Sequence, residues 1–548
     1  MLLCVALRYP LVEHERFQTD SYYVHNLGQS IADFGYAKWT FSPLSYFGFY
    51  PLSYPSGVPF VLAEVSQLTG LSMEFTILLT GMFLSILFCF TCFCLAREFT
   101  TRPEYALLFS LFVLLGPRFV DTTYWDASAR GAAVVLMTLL VFVSFRVGFW
   151  SSRGYWPLLI LLGFACFAVH RMSVLLVLYG LAYLMAVPCY RFVRGNYASR
   201  SRRGVIAAFL VMSGTLSLAT LTFFELLEFS FESSFSESGF FDIGSPTLSL
   251  LLNVGVSFTH QIGFVIVPAA FGLLYVFKRA HMSTKSLYPV TIIVAFIPMI
   301  GNALYISMLM APFVAVLGVG WLGNLLRSRR SRSFVLGLIA VLIAGSVALT
   351  SWSVDRWNAW PTDAKETVEV DPRVFSDVSY ISVNCAGYNA IASRESMAIL
   401  LDAATGTYFL KSGIVTTING DVVASDVNSN RTTFDVEFPN NLYTWFTYQD
   451  YYFVDGFVWE LMNDGAGFPG SNPLEIPRVV DYAELHSHLF IVVDNRYPGV
   501  FSNAYYDYPS RLLRELDDGV TEGGGEEIFA YSLYQSEIVT LYLMELNV

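Results

Sequence analysis

FQTDSYYVHNLGQSIADFGY, residues 17–36, is a polar and aromatic stretch carrying Asp20, His25 and Asp33. A short apolar segment precedes it (MLLCVALRYP, 1–10), and a long series of apolar segments follows. What such a stretch does at the start of so apolar a chain decides how the whole sequence is read.

The 548 residues are 55% hydrophobic, with a mean hydropathy of +0.52 and only 14% charged residues. Soluble domains carry about 25% charged residues, so this composition describes a polytopic membrane protein. Charge is unevenly divided. Residues 353–548 hold 29 of the 44 acids and 10 of the 32 Lys and Arg, a balance of −19, which leaves +7 for residues 1–352. The first part reads as a multi-spanning membrane domain with basic loops, the second as a solvated acidic domain. Of the seven Cys, Cys4, Cys89, Cys92, Cys94, Cys166 and Cys189 lie in or beside apolar segments, and only Cys385 falls in the acidic part. Cys92 and Cys94 flank a single Phe inside an apolar run, so they read as core rather than as zinc ligands.

Apolar runs predict spans near 73–96, 104–117, 130–149, 156–169, 172–190, 205–227, 255–277, 287–300, 303–325 and 334–352. REFTTR (97–102), FRVGFWSSR (145–153), RFVRGNYASRSRR (191–203), KRAHMSTK (278–285) and LRSRRSR (326–332) are basic, which makes them cytoplasmic by the positive-inside rule. Residues 17–72, 118–129, a tip at His170, 228–254 and a tip at Gly301-Asn302 then face outward. MLLCVALRYP reads as the stub of a first helix; with that helix restored, eleven spans put 17–72 and 353–548 on the same outer face. In the C-terminal part, SYISVN, TYFLKSGIVTTI, DVVASDV and SHLFIVVDN predict strands, and SRESMAILLDAAT predicts a helix. This gives an α/β or α+β extracytoplasmic domain. Asn430-Arg431-Thr432 is a glycosylation acceptor sequence suited to an outer surface.

Three places carry chemistry. Asp20 lies where a first helix would leave the bilayer, placed to deprotonate an acceptor hydroxyl or to bind a metal that bridges a phosphate; the alternative is a helix cap. GPRFVDTTYWDASARGAAVV (116–135) holds Asp121, Asp126, Arg118 and Arg130 in the next outer loop. Either Arg suits phosphate oxygens, while Asp126 can instead cap the helix that follows. FAVHRMSV (167–174) sets His170 and Arg171 in an apolar run, where ionisable groups are costly and face a cavity or snorkel at a hairpin tip.

This layout resembles the GT-C superfamily of integral membrane glycosyltransferases, which use polyprenyl-phosphate-linked sugars. TDSYYVHNLGQSIADFGYAKW resembles the first outer loop of that superfamily, and Asp20 matches its essential acid. YWDASARGAAVVL (124–136) resembles the second acidic motif of the oligosaccharyltransferase branch at Asp126, although Ala127 and Ser128 stand where that branch often has a further acid. LLGFACFAVHRMSVLLVLYGLAYL resembles a short helical pair with a polar tip. The WWDYG signature of oligosaccharyltransferases is absent; TWFTYQDYY and VWELMNDG are not it.

The resemblance implies inverting transfer of a sugar from a polyprenyl-phosphate donor to a glycan, lipid or protein acceptor at the outer face of the cell membrane. Asp20 and Asp126 would be catalytic, Asp20 as base. His25, Arg118, Arg130, His170 and Arg171 would bind substrate, and a divalent cation such as Mg or Mn, held by Asp20 and Asp126, could assist. No nucleic-acid partner is expected. The competing readings are a transporter, marked by mid-span charges and broken helices in matching halves, and a non-catalytic surface or scaffold protein.

Overall fold

The computed structural model describes residues 2–10, 15, 19–34, 57–150, 153–197, 214–215, 246–278, 284–297, 303–327, 332–359 and 377, and strand segments between 389 and 547. Two compact units divide the chain. The first comprises residues 1–11, 77–358 and 441–446; the second comprises 12–76, 359–440 and 447–548.

Before residue 360 the described elements are all helices. α1 (Leu2–Ala6), α2 (Thr19–Phe34) and α3 (Gly57–Thr69) lead to α4 (Met73–Phe99), α5 (Pro103–Leu114), α6 (Pro117–Asp121) and α7 (Ala129–Trp150). α8 (Trp156–Val169), α9 (Leu176–Tyr197), α10 (Pro246–Ile262), α11 (Ile266–Lys278), α12 (Thr284–Phe296), α13 (Ala303–Leu325) and α14 (Arg332–Ala359) complete the set. α2 and α3 belong to the second unit, as does the first turn of α4. Among the described residues, α4, α7, α13 and α14 contain four stretches long and apolar enough to cross a membrane. α5, α8, α12 and the run Met172–Pro188 are shorter apolar helices. Helices occupy the other expected spans, while 205–227, apart from 214–215, lies outside the described residues.

One expected span is corrected. Residues 255–277 are not a single helix: α10 and α11 meet at a bend of 106°. Gly263 sits there at φ +91, the left-handed region that an L side chain avoids. Its N–H bonds the carbonyl of Thr259 at 2.8 Å and closes α10. Pro268, in the first turn of α11, lacks the N–H that a continuous helix would have used. Apolarity alone does not register such a break.

Glu98, at the close of α4, is 2% exposed and takes an ion pair from Arg146 of α7 at 3.0 Å and a hydrogen bond from Lys285 of α12 at 3.1 Å. Tyr105 of α5 donates to the Gly323 carbonyl of α13 at 3.1 Å. These contacts bring the end of α4, Arg146, Lys285 and, through α5, the Gly323 turn of α13 together. α5 rises about 18 Å in its 12 residues, well short of a hydrocarbon core of about 30 Å. Beyond it every residue from Phe112 to Ala129 is buried, which is how irregular backbone survives at membrane depth.

In the second unit, β1 (Asn389–Ala392), β4 (His488–Asp494), β5 (Glu527–Gln535) and β6 (Val539–Asn547) form a sheet of order β1-β4-β6-β5. β1 pairs parallel with β4, and the other pairs are antiparallel. β2 (Val415–Ile418) and β3 (Asp421–Ala424) make a separate hairpin. The strands expected in TYFLKSGIVTTI, DVVASDV and SHLFIVVDN match β2, β3 and β4. SYISVN, the helix SRESMAILLDAAT and the acceptor sequence at Asn430 lie outside the described residues, as does the turn at Gly301-Asn302.

Candidate functional site

The loop between α5 and α7 is built by close backbone contact. Gly81 of α4 and Gly131 of α7 press on Thr122 and Thr123 from separate helices. A Cβ at 81 would stand 2.6 Å from the Thr123 carbonyl oxygen, and one at 131 would stand 2.9 Å from that of Thr122. Only glycine permits both approaches. Within this clamp α6 is stapled by Arg118, whose Nη1 donates to Asp121 Oδ2 at 2.5 Å. Both side chains are buried, so the Arg118 charge is met inside its own turn. The hydroxyls of Thr122 and Thr123 donate back to carbonyls of α6. The chain then passes through Trp125 at φ 45, a left-handed conformation in a bulky residue. Such strain clusters at functional sites, and the next residue is Asp126.

Asp126 is 5% exposed. The side-chain oxygen that receives the Arg130 N–H is Ser128 Oγ, at 3.3 Å, so Ser128 rather than Asp126 makes this contact at the start of α7. Arg130 itself is half-buried at that start.

Arg8 escapes a reading by motif. It follows α1, is 0% exposed, and is the largest fully buried side chain described. Its Nε donates to Thr123 Oγ1 at 2.7 Å and its Nη1 to the Cys4 carbonyl at 3.2 Å, with the guanidinium 5.2 Å from the centre of the Phe119 ring. Nη2 has no hydrogen-bond partner among the described residues. An Arg inside an apolar run is the signal the sequence carries.

His170 ends α8 in extended backbone and caps the 3-10 turn Arg171–Leu175: its Nδ1 accepts from the Met172 N–H at 2.9 Å. With Nδ1 an acceptor, the ring proton of the neutral form lies on Nε2, which is then a donor. The hairpin tip is thus a buried, ordered turn, reinforced by Ser173 Oγ donating to the Cys166 carbonyl. The Arg171 side chain lies outside the described residues.

In the second unit, Asp20 occupies the first turn of α2; its side chain lies outside the described residues. His25, one turn further on, is 7% exposed, and its Nδ1 is 2.8 Å from Glu15 Oε1. The Glu15 N–H donates in turn to Glu74 Oε1 of α4 at 2.9 Å. Burial favours the neutral imidazole, but the Glu15 and Glu74 carboxylates outweigh it and raise the His25 pKa above its ordinary value. The far half of α2 packs on α3: Ile31 meets Ala63, Gly28 faces Leu62 and Met73, and Gln67 Nε2 donates to the Ala32 carbonyl. Among the described residues no three His, Cys, Asp or Glu side chains gather as a cation site, and no step below is routed through a metal.

No protein-family model matches the chain, and no curated protein matches it in sequence. The solved structures do. ArnT from Cupriavidus metallidurans bound to undecaprenyl phosphate superposes with a TM-score of 0.52, covering 99% of this chain and 97% of that one at 13% identity. The chain has the fold of ArnT. The apo state of the same enzyme agrees, with a TM-score of 0.51 and 11% identity over 99% of this chain and 97% of that one. The likeness is one of fold along almost the whole chain.

Proposed function

We propose that this protein transfers a sugar from a polyprenyl-phosphate carrier to an acceptor at the outer membrane face, with inversion. The observation that supports this most is the ArnT-like fold along almost the whole chain, with a solved neighbour that holds undecaprenyl phosphate. Asp20 acts as general base on the acceptor hydroxyl. The acceptor oxygen bonds to the anomeric carbon as the bond from that carbon to the phosphate oxygen breaks; the hydroxyl proton passes to Asp20, and polyprenyl phosphate leaves. Arg130, Arg171 and the Nε2–H of His170 stabilise charge growing on the leaving phosphate, where fixed donors act most strongly. Asp126 is the second catalytic acid of this proposal. A divalent cation, the C-terminal domain at the outer face and the acceptor class belong to the same proposal.

Replacing Asp20 by Asn is expected to lower transfer from a polyprenyl-phosphate sugar by about 10²–10⁴-fold with the fold intact. Turnover equal to wild type would remove Asp20 from the mechanism.

A further inference from the structure

The proposed reaction leaves His25 without a part, although it stands on the same helix as the proposed base, five residues further on. α2 is held differently at its two ends. The far half packs on α3 through Gly28, Ile31 and Ala32. The near half, which carries Asp20, buries Ser21, Val24 and Leu27 and sets His25 against Glu15. That pair is enclosed: the His25 side chain is 8% exposed and that of Glu15 1%.

Charge makes this anchor conditional. The Nδ1–H of His25 donates to Glu15 Oε1, and the Glu15 N–H donates to Glu74 Oε1, so two carboxylates act on a single imidazole. Among the described residues these are the charged groups that act on it: Glu15 from the segment before α2, Glu74 from the first turn of α4. On α3, Glu64 is exposed; on α2 itself the Asp20 side chain lies outside the described residues. Burial disfavours the charged ring, but the two carboxylates prevail and raise its pKa. A neutral ring still donates from Nδ1. The carboxylates are then left without a cation beside them, and in a buried place their repulsion is weakly screened. Asp20 lies about 140° round the helix from His25, so any rotation of α2 that relieves this repulsion moves Asp20.

We propose that His25 is a positioning residue for Asp20: as an imidazolium held by Glu15 and Glu74 it fixes the first turns of α2, and loss of its proton releases them and lowers transfer. The part given to Asp20 rests on the proposed transferase reading; the protonation-dependent hold on α2 does not.

The test uses full-length protein in nanodiscs and a polyprenyl-phosphate sugar. The folded-state pKa of His25 lies above the ordinary value of about 6.5. On the alkaline side of that value kcat is expected to fall about tenfold per pH unit beyond the midpoint, with KM little changed. Glu15→Gln removes the nearer carboxylate and should move the midpoint to lower pH; Glu74→Gln should move it less. A midpoint that stays in place in both variants overturns the proposal. His25→Gln that raises KM and leaves kcat and its pH profile as in wild type would make His25 a substrate contact and also overturn it. Should Glu15→Gln fail to fold, Glu74→Gln, at a half-buried site, carries the same test. Hydrogen exchange reads the hold on α2 without the reaction. After correction for intrinsic exchange, amide protection within 19–27 should drop across the wild-type midpoint, and at lower pH in Glu15→Gln. Protection that is independent of pH overturns the proposal. Protection that drops with pH in a protein without transfer activity overturns the transferase reading and supports the hold on α2, so the two failures are read separately.

Discussion

At His25 the chain joins a proton equilibrium to the placement of a helix. The imidazole is seated against Glu15, with Glu74 next in the chain of contacts. A raised folded-state pKa means that the ion pair stabilises fully below the unfolded value of about 6.5 and is lost as pH climbs through the folded one. His25→Leu should therefore cost roughly 3 kcal/mol near pH 6, the usual result of removing one partner of a buried pair. The gap to wild type should narrow as pH rises through the folded pKa, checked by thermal melting across that range. A gap that widens would remove the ion pair as the cause. Asp20, five residues earlier, and Asp126 stand out in the sequence because acids at the lips of apolar runs are rare. Arg118 was legible as a cation but not as a neutralised one, because its partner Asp121 becomes one only when α6 coils.

Helices of unequal length carry the next level. Their apolar runs were readable, because lipid demands them; their breaks were not. Gly263 and Pro268 sit in a run as greasy as any other, and the 106° bend follows from one backbone torsion and one missing donor. Close helix contact is equally silent in sequence. Gly272 of α11 lies so near α13 that a Cβ would run into the Leu317 carbonyl, whereas a Cβ at Gly337 of α14 meets nothing within 4 Å. Gly272→Ala should destabilise by about 1–3 kcal/mol through overpacking. Gly337→Ala should be neutral or stabilising by up to about 1 kcal/mol, since alanine favours the helix. Thermal melts of the two variants in one detergent test this, and equal shifts would refute the packing assignment.

For the whole molecule, orientation is the readable property. Glu98 holds Arg146 and Lys285 together, and Tyr105 bonds the Gly323 carbonyl; the positive-inside rule makes these basic flanks cytoplasmic. Topology reporters should accordingly read cytoplasmic when inserted within 326–332 and extracytoplasmic after residue 359; a cytoplasmic signal at both would overturn the orientation. By itself the sequence determined the membrane class and most helix positions. These depend on composition and on runs of apolar residues, which the bilayer enforces locally. Only the tertiary structure decided that Arg8 grips Thr123 across the primary sequence, that Gly81 and Gly131 clamp one loop, and that Gly263 breaks a span. Those features arise where distant backbones meet within van der Waals distance, and no local pattern of hydropathy encodes such a meeting.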